Sequence, residues 1–132
     1  MNITLSFDEL SDYLAKKYKV RPDFSFVNEK TIDIAYKHNR FIPAAHLQLR
    51  MESVSNEAII LSYECSAPMA LLIAGAAHLE NKIPAGISIN TDKKAIQIQP
   101  LKIEPLKKPL SHIDLKEVVF TSNALQAVVS LL

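Results

Sequence analysis

The apolar period of this chain changes from 3.6 to 2 and does so twice. That repeated change limits the folds available more than any other feature of the sequence. One helix followed by two β-hairpins is succeeded by one helix followed by two β-hairpins. Ser6 opens the first helix and Ser66 the second. Turn-forming pairs interrupt the alternating segments at Asn28-Glu29, Ser55-Asn56, Thr91-Asp92 and Ser122-Asn123. These pairs favour turns because short polar side chains bond to nearby backbone. The spacing predicts an α+β fold: two successive α-β-β-β-β units forming a twisted antiparallel sheet of about eight strands, with two helices on one face. A length of 132 residues fits one domain, 1–132, with pseudo-repeat halves at 1–65 and 66–132.

The first helix is one-sided. Ser6-Phe7-Asp8-Glu9 has the spacing of a capping box, and Phe7, Leu10, Tyr13, Leu14 and Tyr18 make one apolar stripe. Acids lie in its first turn and lysines in its last, as the helix dipole favours. Arg21-Pro22 is expected to end it. The strands that follow alternate regularly: Phe24 and Phe26, Ile32 and Ile34, Leu47 and Leu49, Ile59 and Leu61, then Ile87 and Ile89, Ile96 and Ile98, Val118 and Phe120. One face of such a sheet packs and the other meets water. The predicted core takes these positions together with Leu10, Leu14, Leu71 and Leu72. Residues 124–131 read as either strand or helix, and adjacent Val128 and Val129 favour strand. Leu101 to Glu104, in a connector with three prolines, reads as an extended edge segment.

The second helix is different. After Ser66-Ala67-Pro68, residues 67–80 are apolar on nearly every side. A helix of that kind needs cover on more than one side. A wrapped sheet, a second subunit or an apolar ligand would each supply it. Met69, Leu71, Leu72, Ile73, Ala74 and His78 are therefore the candidate contact residues, for an interface or a cavity. The segment is no membrane span: Ala67 to Leu79 as a helix reaches only about 20 Å against a ~30 Å hydrocarbon core.

Catalytic and metal-binding signatures are missing from the sequence. Two glycines, Gly75 and Gly86, do not make a phosphate-binding loop. His38, His46, His78 and His112 have no ligand spacing, so no metal or cofactor is expected. Cys65 precedes a helix start, where a thiol can be activated, but it also continues the inward row of Ile59, Leu61 and Tyr63. It is the one anchor for an enzyme reading. A net charge of +1, with both signs interspersed, argues against nucleic acid. One cysteine and no secretory leader pattern lead us to expect a cytoplasmic protein. The functional expectation is a non-catalytic binding or assembly module that self-associates as a homodimer. The alternative is a carrier of a small apolar or lipid-like ligand beside the second helix, an arrangement similar in architecture to lipid-carrying domains.

Overall fold

The computed structural model describes residues 1–37, 44–78 and 85–132, and from Ala74 to His78 it describes backbone alone. The fold is α+β with antiparallel sheets, as the alternation predicts. Its strands are β1 (Asn2–Ser6), β2 (Asp23–Asn28), β3 (Thr31–Tyr36), β4 (Ala45–Val54), β5 (Ile59–Cys65), β6 (Ile87–Asn90), β7 (Ala95–Ile98), β8 (Ile113–Phe120) and β9 (Ala124–Leu131). The helices are α1 (Phe7–Tyr18), α2 (Ala67–His78) and α3 (Glu104–Leu110).

The nine strands divide into two sheets, a finer arrangement than one sheet of about eight. Six run in the order β2-β3-β4-β5-β7-β6 and three in the order β1-β9-β8. The hairpins after α1 stay together in the large sheet. Those after α2 part company: β6 and β7 join the large sheet through β5, while β8 and β9 pair with the chain's opening strand. Alternation fixes which face of a strand is buried and leaves its distant partner open.

Each expected turn has a local cause. The Asn28 side chain accepts from the Lys30 N–H at 2.9 Å, and the Asn90 side chain accepts from the Lys93 N–H at 3.0 Å. Ser55 Oγ accepts from the Ala58 N–H at 3.1 Å, and the Thr121 N–H donates to the Ala124 carbonyl at 2.8 Å. The capping box of α1 is complete. Ser6 Oγ accepts from the Glu9 N–H at 3.0 Å, and the Glu9 carboxylate accepts from the Ser6 N–H at 3.4 Å. The helix ends before Arg21-Pro22, at Lys19, which is left-handed with φ 59° and whose N–H donates to the Ala15 carbonyl. That is an αL cap formed without glycine.

The proline connector departs from its expected extended form. Pro100–Lys102 is a 3-10 turn and α3 follows it. Pro105 sits in the first turn of α3, where no N–H is needed, and Pro109 sits in its last turn. A proline-rich string can thus start a helix as well as stiffen a coil. Gly86 is tied to this connector. Its carbonyl accepts from the Gln99 N–H at 2.6 Å, its φ is +92°, and a Cβ there would meet the Gln99 carbonyl oxygen at 3.0 Å. Glycine is needed at that position on both counts.

The core lies where the two sheets and α1 meet. Phe7, Ile32 and Phe120 are buried together, with Phe24, Ile34, Leu49, Met51 and Leu125 packed around them. Phe7 stacks on Phe24 with ring centroids 5.8 Å apart. Three of the positions assigned to the core belong to the surface: Phe26, Leu71 and Leu72. Phe26 lies on the edge strand β2, whose outer side pairs with no strand among the described residues.

A second lock joins the sheets through one side chain. Asn56, in the β4–β5 turn, donates from Nδ2 to the Ile113 carbonyl at 2.8 Å and to the Leu110 carbonyl at 3.3 Å. Its Oδ1 accepts from the Leu115 N–H at 2.7 Å. The geometry holds the start of β8 and the end of α3 against the large sheet. Replacing Asn56 with Ala would leave these part-buried backbone groups unpaired. The expected cost is roughly 2–3 kcal/mol, read as a lower urea midpoint. An unchanged midpoint contradicts the assignment.

Candidate functional site

The second helix begins on a fixed point. The Ser66 N–H donates to the His46 carbonyl at 3.0 Å, and Ser66 Oγ accepts from the His46 N–H at 3.0 Å. This reciprocal pair extends the β4–β5 ladder by one step, so α2 leaves the sheet in a set direction and packs against β4. The Ser66 hydroxyl, expected to serve the helix N-terminus, is engaged by the neighbouring strand.

The candidate contact residues divide by exposure. Met69 is 9% exposed and points to the protein, and Ile73 is half-buried. Leu71 is 77% exposed and Leu72 50% exposed, with Ala67 and Ala70 exposed beside them. Ala74 and His78 lie on α2, and their side chains fall outside the description. Residues 79–84, where Asn81-Lys82 and Pro84 are residue types that suit a helix end, and residues 38–43 with His38 also fall outside the described residues. The fold therefore covers one side of α2 through Met69 and leaves leucines on another in water. No charged residue occurs from Ala67 to Ala77 to soften that surface.

The remaining candidate chemistry is dispersed. Cys65 is half-buried at the end of β5, opposite Leu47. Its neighbour in the inward row, Tyr63, is buried, and burial pushes the Tyr63 phenol above its ordinary pKa, with the charge of Cys65 adding to the effect. His46 Nδ1 lies 3.4 Å from Asp33 on the open face of the sheet. Among the described residues no three metal-ligating side chains converge, and no helix is long and apolar enough to cross a membrane.

The open face of the large sheet carries the polar strip expected from alternation. A cleft of about 220 Å³ there is lined by Gln48, Arg50, Glu52, Ser62 and Glu64. Ser62 Oγ donates to Glu52 Oε1 at 2.7 Å, and Arg50 Nε is 3.7 Å from the same oxygen. A wider cleft of about 740 Å³ lies over Ile60, Ser88, Asn90 and Gln97 on the adjoining strands. The hydroxyl has a water-exposed carboxylate as its partner, and that carboxylate faces an arginine. Such an arrangement is a solvated surface network. At α1, Lys17 donates to the Tyr13 hydroxyl at 3.1 Å and stands 5.6 Å from the ring centroids of both Tyr13 and Tyr18. This local contact engages Lys17 in the last turn of α1.

A titration checks the burial of Tyr63. The folded phenol has the higher pKa, so the folded state holds its proton longer than the unfolded chain. The resulting stability is complete below the unfolded value of about 10 and is lost as pH rises through the folded value. Unfolding midpoints are expected to fall above pH ~10, and more gently in Tyr63→Phe. Equal slopes in the two proteins contradict the assignment.

Comparison with family models, with curated proteins and with solved structures found no match to this chain.

Proposed function

We propose that this protein is a non-catalytic assembly module that binds a second copy of itself through the exposed side of α2. The observation that carries this reading is the pair Leu71 and Leu72, which stand in water on a helix whose opposite side is packed on β4. Isolated exposed leucines are common. Adjacent ones on an uncharged helix beside exposed alanines form a patch, and removing such a patch from water is favourable by about 25 cal/mol per Å². A two-fold contact uses the same patch on both copies and is the commonest solution for soluble oligomers. The flanking small residues Ala67 and Ala70 would let two such helices approach closely. A carrier of an apolar ligand is favoured less, because Leu71 and Leu72 face solvent.

Sedimentation velocity of Leu71→Glu/Leu72→Glu beside the unaltered chain tests this. Both side chains are exposed, so the double variant is expected to keep its circular dichroism spectrum. It is expected to sediment as a smaller species at equal concentration. Identical distributions for the two proteins overturn the reading.

A further inference from the structure

The three-stranded sheet has an open edge along β1, and the rest of the molecule shows how unusual that edge is. Two sheets leave four edge strands: β2, β6, β1 and β8. Exposed edges invite pairing with other chains, and proteins blunt them with bulges, charge or shortness. β2 has a bulge between Phe26 and Asn28 and begins at Asp23. β6 is only four residues long. β8 has a bulge between Leu115 and Glu117, carries the ion pair of Glu117 with Lys30 at 2.6 Å, and donates from the Phe120 N–H to the Glu29 carbonyl. β1, five residues long, has neither a bulge nor a charged side chain. Its side chains, Asn2-Ile3-Thr4-Leu5-Ser6, are all uncharged, its register with β9 is unbroken, and no strand flanks its outer side among the described residues.

The ladder tells which backbone groups face outward. The Val129 N–H donates to the Met1 carbonyl at 2.8 Å. Alternation in an antiparallel ladder then turns Ile3 and Leu5 toward β9, and leaves the N–H and C=O groups of Asn2 and Thr4 at the free edge. The Ser6 N–H, also on that edge, is taken by the Glu9 carboxylate of the capping box. The free edge is thus bounded to one short run. Met1 is 68% exposed and Ile3 50% exposed, on the face that carries Leu5.

We infer that β1 pairs antiparallel with β1 of a second copy across a two-fold axis at Ile3, joining two three-stranded sheets into one of six strands. The sequence complements itself in this register. Asn2 faces Thr4 of the second copy, and each such pair exchanges two backbone hydrogen bonds. Ile3 faces Ile3 as a non-hydrogen-bonded pair, whose Cα atoms lie about 4.5 Å apart. Met1 faces Leu5 of the second copy on the same side, so exposed Met1 and Ile3 are both covered by apolar residues of the second copy. A five-residue edge buries little area, so the pairing is concentration-dependent. This seam lies on a different element from α2 and stands without the reading given for that helix.

Cross-linking tests it in a background that removes both other variables: Cys65→Ala, to leave no native thiol, and Leu71→Glu/Leu72→Glu, to charge α2. A disulfide needs Cα atoms roughly 4.4–6.8 Å apart, and the seam places Ile3 of both copies within that range. In oxidised glutathione, Ile3→Cys is expected to yield a covalent species of twice the 14.7 kDa chain mass. Thr4→Cys, offset along the strands and on the opposite face, is expected to remain at the single-chain mass. Adding Thr4→Pro to Ile3→Cys removes an outward N–H while sparing the β9 ladder, and is expected to abolish the cross-link. No cross-link from Ile3→Cys, or equal cross-linking from Thr4→Cys, overturns the seam. Either outcome leaves the α2 result unaffected.

Discussion

Phe120 packs with Ile32 and Phe7 where the two sheets and α1 meet. Each ring or branch comes from a different unit: β8 of the small sheet, β3 of the large sheet and the first residue of α1. A backbone bond follows the same seam. The Phe120 N–H of β8 reaches across to the Glu29 carbonyl beside β3 at 2.8 Å, while the Phe7 N–H to Asn123 (2.9 Å) and the Met51 N–H to Lys30 (2.8 Å) extend the β1–β9 and β3–β4 ladders within each sheet. Apolar burial brings the sheets together without direction. The Phe120–Glu29 bond and the Asn56 side chain give the approach its direction, because an unpaired group at the seam would be costly.

With its core between the sheets, the molecule has little apolar surface to spare for α2. The helix is fixed at its base by the Ser66–His46 pair and covered on one side by β4. Its far side is beyond the reach of either sheet, and Leu71 and Leu72 remain in water. The same partition leaves β1 as the border of a small sheet.

Much of this was legible in the residues. Two of the four turns are made by side chains of the pairs the sequence shows, Asn28 and Ser55, while the third is held by Asn90, just before Thr91-Asp92, and the fourth by the backbone bond from Thr121 to Ala124. Ser6 and Glu9 announce the capping box for the same local reason. The unusual apolarity of residues 67–78 is equally plain. Long-range pairing is what the pattern could not convey. Asn2 to Leu5 reads only as an extended entry, since nothing local indicates that it will pair with β9 at the other end of the chain. Asn56 reads as a turn residue, whereas its three bonds reach across to Leu110, Ile113 and Leu115. The side of α2 left uncovered is likewise a consequence of tertiary packing. Pro105 and Pro109 were misleading because proline suits a first helical turn as well as a coil.

Sedimentation equilibrium of the unaltered chain across a micromolar concentration series decides whether a second copy covers α2 and β1. Self-association gives an average mass above 14.7 kDa that rises with concentration. A mass that stays at the single-chain value throughout would contradict it.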